Sequence, residues 1–90
     1  MNSDKRREQL ADQIHEAWAR WMRHVFKLSR QNADGSATIP AESVQRWKLQ
    51  IDTTYSELSE SEKDSDRCEA DRILRLLSDI DVNEKLESEQ

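Results

Sequence analysis

The 90-residue chain has one glycine, one proline and one cysteine. Glycine and proline build most sharp turns, so their scarcity excludes a sheet of many short strands and favours long helices. The lone Cys68 excludes an intramolecular disulfide, and we expect it to be a half-buried thiol. No apolar run approaches the ~20 residues of a membrane span, and the N-terminus has no signal-peptide character. The sequence therefore predicts a cytoplasmic protein.

Apolar side chains are also scarce, because 34% of the residues are hydrophobic and 37% are charged. A chain of this length buries only a modest fraction of its surface on folding. Each aromatic side chain buries roughly 150–250 Å². The three tryptophans, with Tyr55 and Phe26, must therefore supply much of the core.

The first predicted helix begins after Ser3 and ends near Arg30. Its apolar residues recur at steps of three and four, which is the period of one helical face. That face consists of Leu10, Ile14, Ala17, Trp21, Val25 and Leu28. The face is widened by Trp18, Met22 and Phe26. A stripe this wide predicts contact with more than one neighbour, either two helices or a partner chain.

The middle of the chain predicts a turn followed by a shorter helix. Asp34-Gly35 is a turn signal inside the polar segment 31–38, and residues 37–39 are typical of half of a small ribbon. Pro40 suits the first turn of a second helix that ends near Asp52. The apolar side of this helix consists of Val44, Trp47 and Ile51.

The third helix carries its own start signal. Ser59 and Glu62 have the spacing of a capping box, in which each side chain accepts a backbone N–H of the other residue. An apolar stripe follows at Ala70, Ile73, Leu74, Leu77 and Ile80. We expect one all-α domain over residues 1–80, a three-helix arrangement with a long first and third helix and room for a very short β-ribbon. Residues 81–90 form either an acidic tail or an extension of the helix.

Charge is distributed unevenly along the chain, whose net charge is −5. Residues 1–30 carry seven basic and four acidic side chains, whereas residues 60–90 carry five basic and eleven acidic ones. One interpretation is a basic helix that lies beside an acidic helix. The other is a basic surface for an anion and an acidic surface for a basic protein.

No combination of residues indicates catalysis or metal binding. His15 and His24 are nine positions apart on one helix, about 13 Å along its axis, so they cannot share a metal ion. Cys68 has no positioned base in the sequence, and a single glycine cannot build a phosphate-binding loop. We therefore predict a non-enzymatic protein with no metal site and no cofactor.

Two surface patterns suggest ligands. A basic stripe follows the first helix and consists of Arg20, Arg23, His24, Lys27 and Arg30. It is either a solvated face or an anion site, in which Trp18, Trp21 or Trp47 stacks a nucleobase. The overall acidity disfavours duplex DNA. The acidic third helix, with Asp64, Asp66 and Asp71, admits a further hypothesis, mimicry of a nucleic-acid backbone.

Two segments together resemble the repeat domain of ryanodine receptors. Residues 10–18, LADQIHEAW, are similar to that family's opening helix, and residues 54–67, TYSELSESEKDSDR, are similar to its P-Y-x-E-L-x-x-x-E-K-x-x-D-R motif. The motif positions that match include Tyr55, Glu57, Glu62, Lys63, Asp66 and Arg67. The resemblance implies the family's helical frame. The family's proline is replaced by Thr54 and its glycine-rich middle is absent, so no ligand site is carried over.

The motif residues also have an architectural interpretation. In it they pair with one another, cap the connector between the second and third helices (residues 53–58), or hold His15 and Glu16. The chain also resembles small phage and prophage proteins of unknown function, which implies an adaptor or inhibitor. We therefore predict a phage-encoded protein that binds and modulates a host protein, with a dimer as its plausible state. The expected contact residues are Trp18, Trp21, Met22, Phe26, Arg20, Arg23, Lys27 and Trp47.

Overall fold

The computed structural model describes residues 2–88, and within this range it contains three α-helices and one antiparallel ribbon. The elements are α1 (Asn2–Leu28), β1 (Arg30–Gln31), β2 (Ala37–Thr38), α2 (Ala41–Ile51), a 3₁₀ turn (Tyr55–Glu57) and α3 (Glu60–Ser88). The prediction of an all-α fold with a long first and third helix is confirmed. The short ribbon is also present, pairing Arg30 with Thr38 and Gln31 with Ala37.

Helices α1 and α3 form an antiparallel hairpin that holds the core. Arg6 Nη2 lies 3.0 Å from Asp81 Oδ1 near one end, and Arg20 Nη2 lies 2.6 Å from Glu69 Oε2 nearer the other. Residue n of α1 therefore lies opposite a residue near 88 − n of α3. Ile80 is 3% exposed, and among the described residues it is the one buried hydrophobic side chain.

Several residues predicted to supply the core are exposed instead, among them four of the five aromatic side chains: Trp18, Trp21, Phe26 and Tyr55. Ile14 is 63% exposed and Leu74 is 62% exposed, although each belongs to its helix's apolar stripe. The reason is that each stripe is wider than the strip one opposing helix can cover. Ile51 is also exposed, because it lies in the last turn of α2, beyond the contact that Trp47 makes with Trp21.

The ribbon is closed by the predicted turn at Asp34-Gly35. Gly35 has a φ of 90°, a left-handed conformation that glycine adopts without steric cost. The Asp34 carboxylate accepts hydrogen bonds from the Ser36 hydroxyl at 2.6 Å and from the Ser36 backbone N–H at 2.9 Å. These bonds hold the pKa of Asp34 below its ordinary value. The turn therefore supplies its own charge-assisted hydrogen bonds.

The helix boundaries follow the sequence signals closely. The Glu62 N–H donates to Ser59 Oγ at 3.2 Å and the Ser59 N–H to Glu62 Oε1 at 3.4 Å, so the capping box is confirmed. Helix α1 ends at Leu28, two residues early, because Arg30 enters the ribbon. Pro40 precedes α2 as its N-cap rather than lying in the first turn. Helix α3 continues to Ser88, and residues 1, 89 and 90 lie outside the described residues.

Candidate functional site

A cleft of about 720 Å³ lies where the C-terminal half of α1, the helix α2 and the first turns of α3 come together. Its aromatic wall is Trp21 and Trp47, whose rings meet edge to face with their centroids 5.4 Å apart. His24 lies against Trp21 at 5.4 Å. The ring pair joins α2 to the hairpin, so the shape of the cleft depends on it.

An ion pair crosses the floor of this cleft. Arg20 donates from Nε to Glu69 Oε1 at 3.1 Å and from Nη2 to Glu69 Oε2 at 2.6 Å. Hydrogen bonding to Arg20 holds the pKa of Glu69 below its ordinary value, and the same bond raises the pKa of Arg20. The two partly exposed charges largely neutralise each other. Arg20 is therefore a structural cation, engaged within the fold, rather than part of a solvated basic stripe.

The remaining lining of the cleft carries both signs of charge. Arg46 and Gln50 reach it from α2, and Glu62 and Asp66 reach it from α3. The carboxylate of Glu62 also accepts a hydrogen bond from the Ser59 hydroxyl at 2.7 Å. Besides the Arg20–Glu69 pair, the cleft thus offers aromatic surface, one guanidinium and two carboxylates, which suits a small ligand with an aromatic or cationic part.

A second surface lies along the exposed side of α1. Trp18 is 58% exposed and Phe26 is 53% exposed, with the half-buried Met22 between them. These three residues are four positions apart, so they form one row along the helix. Arg23 and Lys27 are exposed beside the row. We call Trp18, Met22 and Phe26 the aromatic row.

The predicted contact residues therefore divide between two places. Trp21, Trp47 and Arg20 meet at the cleft, whereas Trp18 and Phe26 belong to the aromatic row. The sequence interpretation treated them as a single surface. The predicted basic stripe is divided as well, because Arg20 is bound to Glu69 and Arg30 lies in β1 beyond the helix.

The motif that resembles the ryanodine-receptor repeat lies in the connector and at the start of α3. Arg67 donates to Asp64 at 2.8 Å and to Glu60 at 3.0 Å. These bonds, together with the Tyr55 hydroxyl, raise the pKa of Arg67. The ammonium of Lys63 lies 5.9 Å from the centroid of the Tyr55 ring. The ion-pair partners of Arg67 are thus Asp64 and Glu60, which lie outside the matched motif positions, whereas the contacts of Lys63 and Arg67 with Tyr55 join motif residues to one another.

Other parts of the architectural interpretation are different in the structure. His15 stacks on Trp18 with ring centroids 5.7 Å apart, near the middle of the hairpin and far along α1 from the motif. Asp66 lines the cleft. Cys68 is exposed, which corrects the prediction of a half-buried thiol. It lies on the solvent side of α3, one residue before the inward-facing Glu69.

Sequence reasoning missed the polar lining that α2 and α3 contribute to the cleft. The missed residues are Arg46, Gln50, Ser61 and Ser65. A signal was present, because Ser61 and Ser65 are four positions apart, as are Arg46 and Gln50, and such pairs share a helical face. Their relevance depends on where α2 lies relative to the hairpin, which periodicity does not specify.

Within residues 2–88, no group of three or more histidine, cysteine, aspartate or glutamate side chains is arranged to hold a metal ion. No helix in this range is both long and apolar enough to cross a bilayer. Comparisons with protein-family models, with characterised proteins and with solved structures find no match to this chain. The resemblance to the ryanodine-receptor repeat therefore stays a prediction.

Proposed function

We propose that this chain is a small non-enzymatic interaction protein, encoded by a phage, that binds a host protein in the cytoplasm and modulates or inhibits it. The aromatic row is its binding surface. The observation that carries the proposal is the exposure of Trp18 and Phe26 on one side of α1. The phage origin is supported by the resemblance of the Tyr55–Arg67 motif to small phage proteins.

Exposed aromatic side chains are costly to leave in water and effective as anchors. Tryptophan dominates the binding energy of many interfaces because it buries a large area at a low cost in conformational entropy. Met22 between the two rings adds an adaptable apolar contact. A helix that presents such anchors at steps of four suits an apolar groove on the partner.

The charges beside the row specify the chemistry of the partner. Arg23 and Lys27 are one and five positions beyond Met22, so they flank the anchors on one side. Cations at the rim of an interface favour a partner whose groove has an acidic border, and they accelerate association at low salt. The proposed partner is therefore a host protein with an apolar groove and carboxylates along one edge.

The test is a comparison of Phe26→Ala with the wild type in affinity purification from host lysate. Removing an aromatic anchor costs about 2 kcal/mol or more, so we expect the captured partner to bind at least about 30-fold more weakly. Leu49→Ala is the control, since Leu49 is also an exposed apolar residue but lies on α2, outside the aromatic row. It should capture as much partner as the wild type does.

The interpretation requires that the Phe26 variant keep its helical circular dichroism. A partner retained equally by the wild type and by Phe26→Ala would contradict the proposed surface. A double variant, Arg23→Glu with Lys27→Glu, should slow association and reverse its salt dependence. If this variant has the same association rate and salt dependence as the wild type, the partner's groove does not need an acidic border.

The cleft favours a second candidate function, the binding or sequestering of a nucleotide. Its volume lies within the ~300–1,000 Å³ typical of small-molecule sites. Trp47 offers an aromatic surface for a base, and Arg46 offers a guanidinium for a phosphate. Glu62 and Asp66 oppose phosphate binding, so this function ranks below host-protein binding. Acidic mimicry ranks lower still, since Asp64 and Glu60 are both paired with Arg67.

Titration with common and cyclic nucleotides, followed by tryptophan fluorescence, tests this candidate. Binding in the cleft should quench the tryptophan fluorescence of the wild type. It should also quench the fluorescence of the Trp18→Phe control, because Trp18 lies outside the cleft. The quenching should fall markedly in Trp47→Phe. If none of the nucleotides changes the fluorescence or the melting temperature of the wild type, the candidate is removed.

A further inference from the structure

The single chain exposes far more surface than a compact protein of its size. Its accessible area is 7435 Å² and its mass is 10.6 kDa. A compact monomer of that mass exposes about 5,500 Å². The excess is roughly 2,000 Å². An obligate homodimer buries about 1,000–2,500 Å² from each chain. The excess area of this chain therefore falls within the range that a stable dimer interface covers.

The shape accounts for the excess. The molecule measures 57 × 36 × 16 Å, and its radius of gyration is 18.1 Å, against about 12 Å for a compact chain of this length. Helices α1 and α3 pack mainly against each other, and α2 meets them at the Trp21–Trp47 pair, so the rest of the hairpin is a single layer of two helices. A stable domain is built from two packed layers around a shared core.

Two exposed apolar residues, Ile14 of α1 and Leu74 of α3, lie on the same face of the hairpin. Gln13 and Ile73 are half-buried in the hairpin, and Ile14 and Leu74 are the residues that follow them. Ile14 is therefore rotated by about 100° from Gln13 about the axis of α1, and Leu74 is rotated from Ile73 by the same angle and in the same sense about the axis of α3. A two-fold axis normal to the hairpin exchanges its antiparallel helices without exchanging its faces. Ile14 and Leu74 therefore project from one face, at the same level of the hairpin.

This hairpin face is centred on the middle of both helices. Ile14 lies near the midpoint of α1 and Leu74 at the midpoint of α3. Trp18 borders the face one turn further along α1, and Ala70 borders it one turn earlier on α3. An apolar patch centred this way can pack against the same patch of a second copy. A two-fold axis that lies in the plane of the face and passes through its centre brings Ile14 and Leu74 of the two copies together.

We propose that a second copy of this chain covers the hairpin face, with Ile14 and Leu74 of both copies at the centre of a four-helix, two-layered homodimer. Trp18 borders this contact, whereas Phe26, at the other end of the aromatic row, lies outside it. Phe26 is twelve residues after Ile14, which places it about 120° away around α1. The dimer therefore leaves Phe26 available for a partner, and the two proposals can fail separately.

Sedimentation equilibrium of the full chain, from about 1 to about 100 µM, tests the proposal. We expect the wild type to have twice the 10.6 kDa chain mass at the upper concentrations. Its melting temperature should rise with concentration, because dimerisation and folding are linked. A wild-type mass of one chain at all concentrations, or of more than two chains, would overturn the proposal whatever the variants do.

The variants locate the interface. Ile14→Ala with Leu74→Ala removes four apolar side chains from each dimer while preserving helix propensity, so we expect the dissociation constant to rise at least about 100-fold. The control, Leu49→Ala with Ile51→Ala, removes two apolar residues of the same kinds that are even more exposed, on α2, and should leave the dissociation constant unchanged. If both pairs weaken the dimer equally, or neither does, the hairpin face is not the interface.

Discussion

Replacing Ile80 with alanine is expected to lower the free energy of unfolding by about 2–4 kcal/mol. Ile80 is the most buried hydrophobic side chain of the described residues, at the α1–α3 contact near the end closed by Arg6 and Asp81. Removing its side chain loses the transfer free energy and leaves a cavity. Since a small domain is stable by only about 5–15 kcal/mol, this one change removes a large fraction.

Urea denaturation followed by circular dichroism, at one fixed protein concentration, measures the effect. Val82→Ala is the control, because Val82 is exposed two residues further along α3 and should change stability by less than about 0.5 kcal/mol. Ile80→Val should fall between the two, at about 0.5–1.5 kcal/mol. Equal stability of the Ile80→Ala and Val82→Ala proteins would mean that the core lies elsewhere.

Replacing Trp47 with alanine is expected to release α2 from the hairpin. The edge-to-face contact with Trp21 holds this eleven-residue helix in place, and helices this short are marginal in water without tertiary contacts. The loss of a half-buried ring and its aromatic partner should cost about 2 kcal/mol. The cleft would then lose one wall.

Hydrogen exchange of the backbone amides in residues 41–51 detects this release. A cost of about 2 kcal/mol corresponds to roughly 30-fold faster exchange in α2, with little change in α3. Leu49→Ala, on the exposed side of the same helix, should leave the exchange rates unchanged. Trp47→Phe should restore most of the protection. Unchanged exchange in the alanine variant would show that α2 is held by other contacts.

The local features of the fold are predictable because each depends on residues close together in sequence. Ser59 and Glu62 form the capping box, and Gly35 adopts its left-handed turn, because neighbouring residues satisfy the geometry. The 3.6-residue period of apolar residues likewise specifies that α1 and α3 are long helices. Errors at the boundaries, such as the end of α1 at Leu28, arise where the ribbon competes with the helix.

The candidate sites are less predictable because they depend on how helices face one another. Trp18 and Trp21 are three residues apart, and periodicity assigns both to one broad apolar stripe. The structure places Trp21 against Trp47 and leaves Trp18 on the outer side of α1. Only the position of α2 separates them. Arg20 belongs to a basic stripe in sequence, but Glu69, forty-nine residues away, binds it in the fold.

The sequence by itself determined the helices, their caps and the amphipathic stripes, since short-range spacing and backbone hydrogen bonding are sufficient to produce them. The tertiary structure alone decided how much of each stripe is covered. The hairpin covers only one edge of the stripes on α1 and α3, so Ile14 and Leu74 are left uncovered within the single chain. The rotation of a helix about its axis is set by its neighbours, and that relation is not encoded within any local segment.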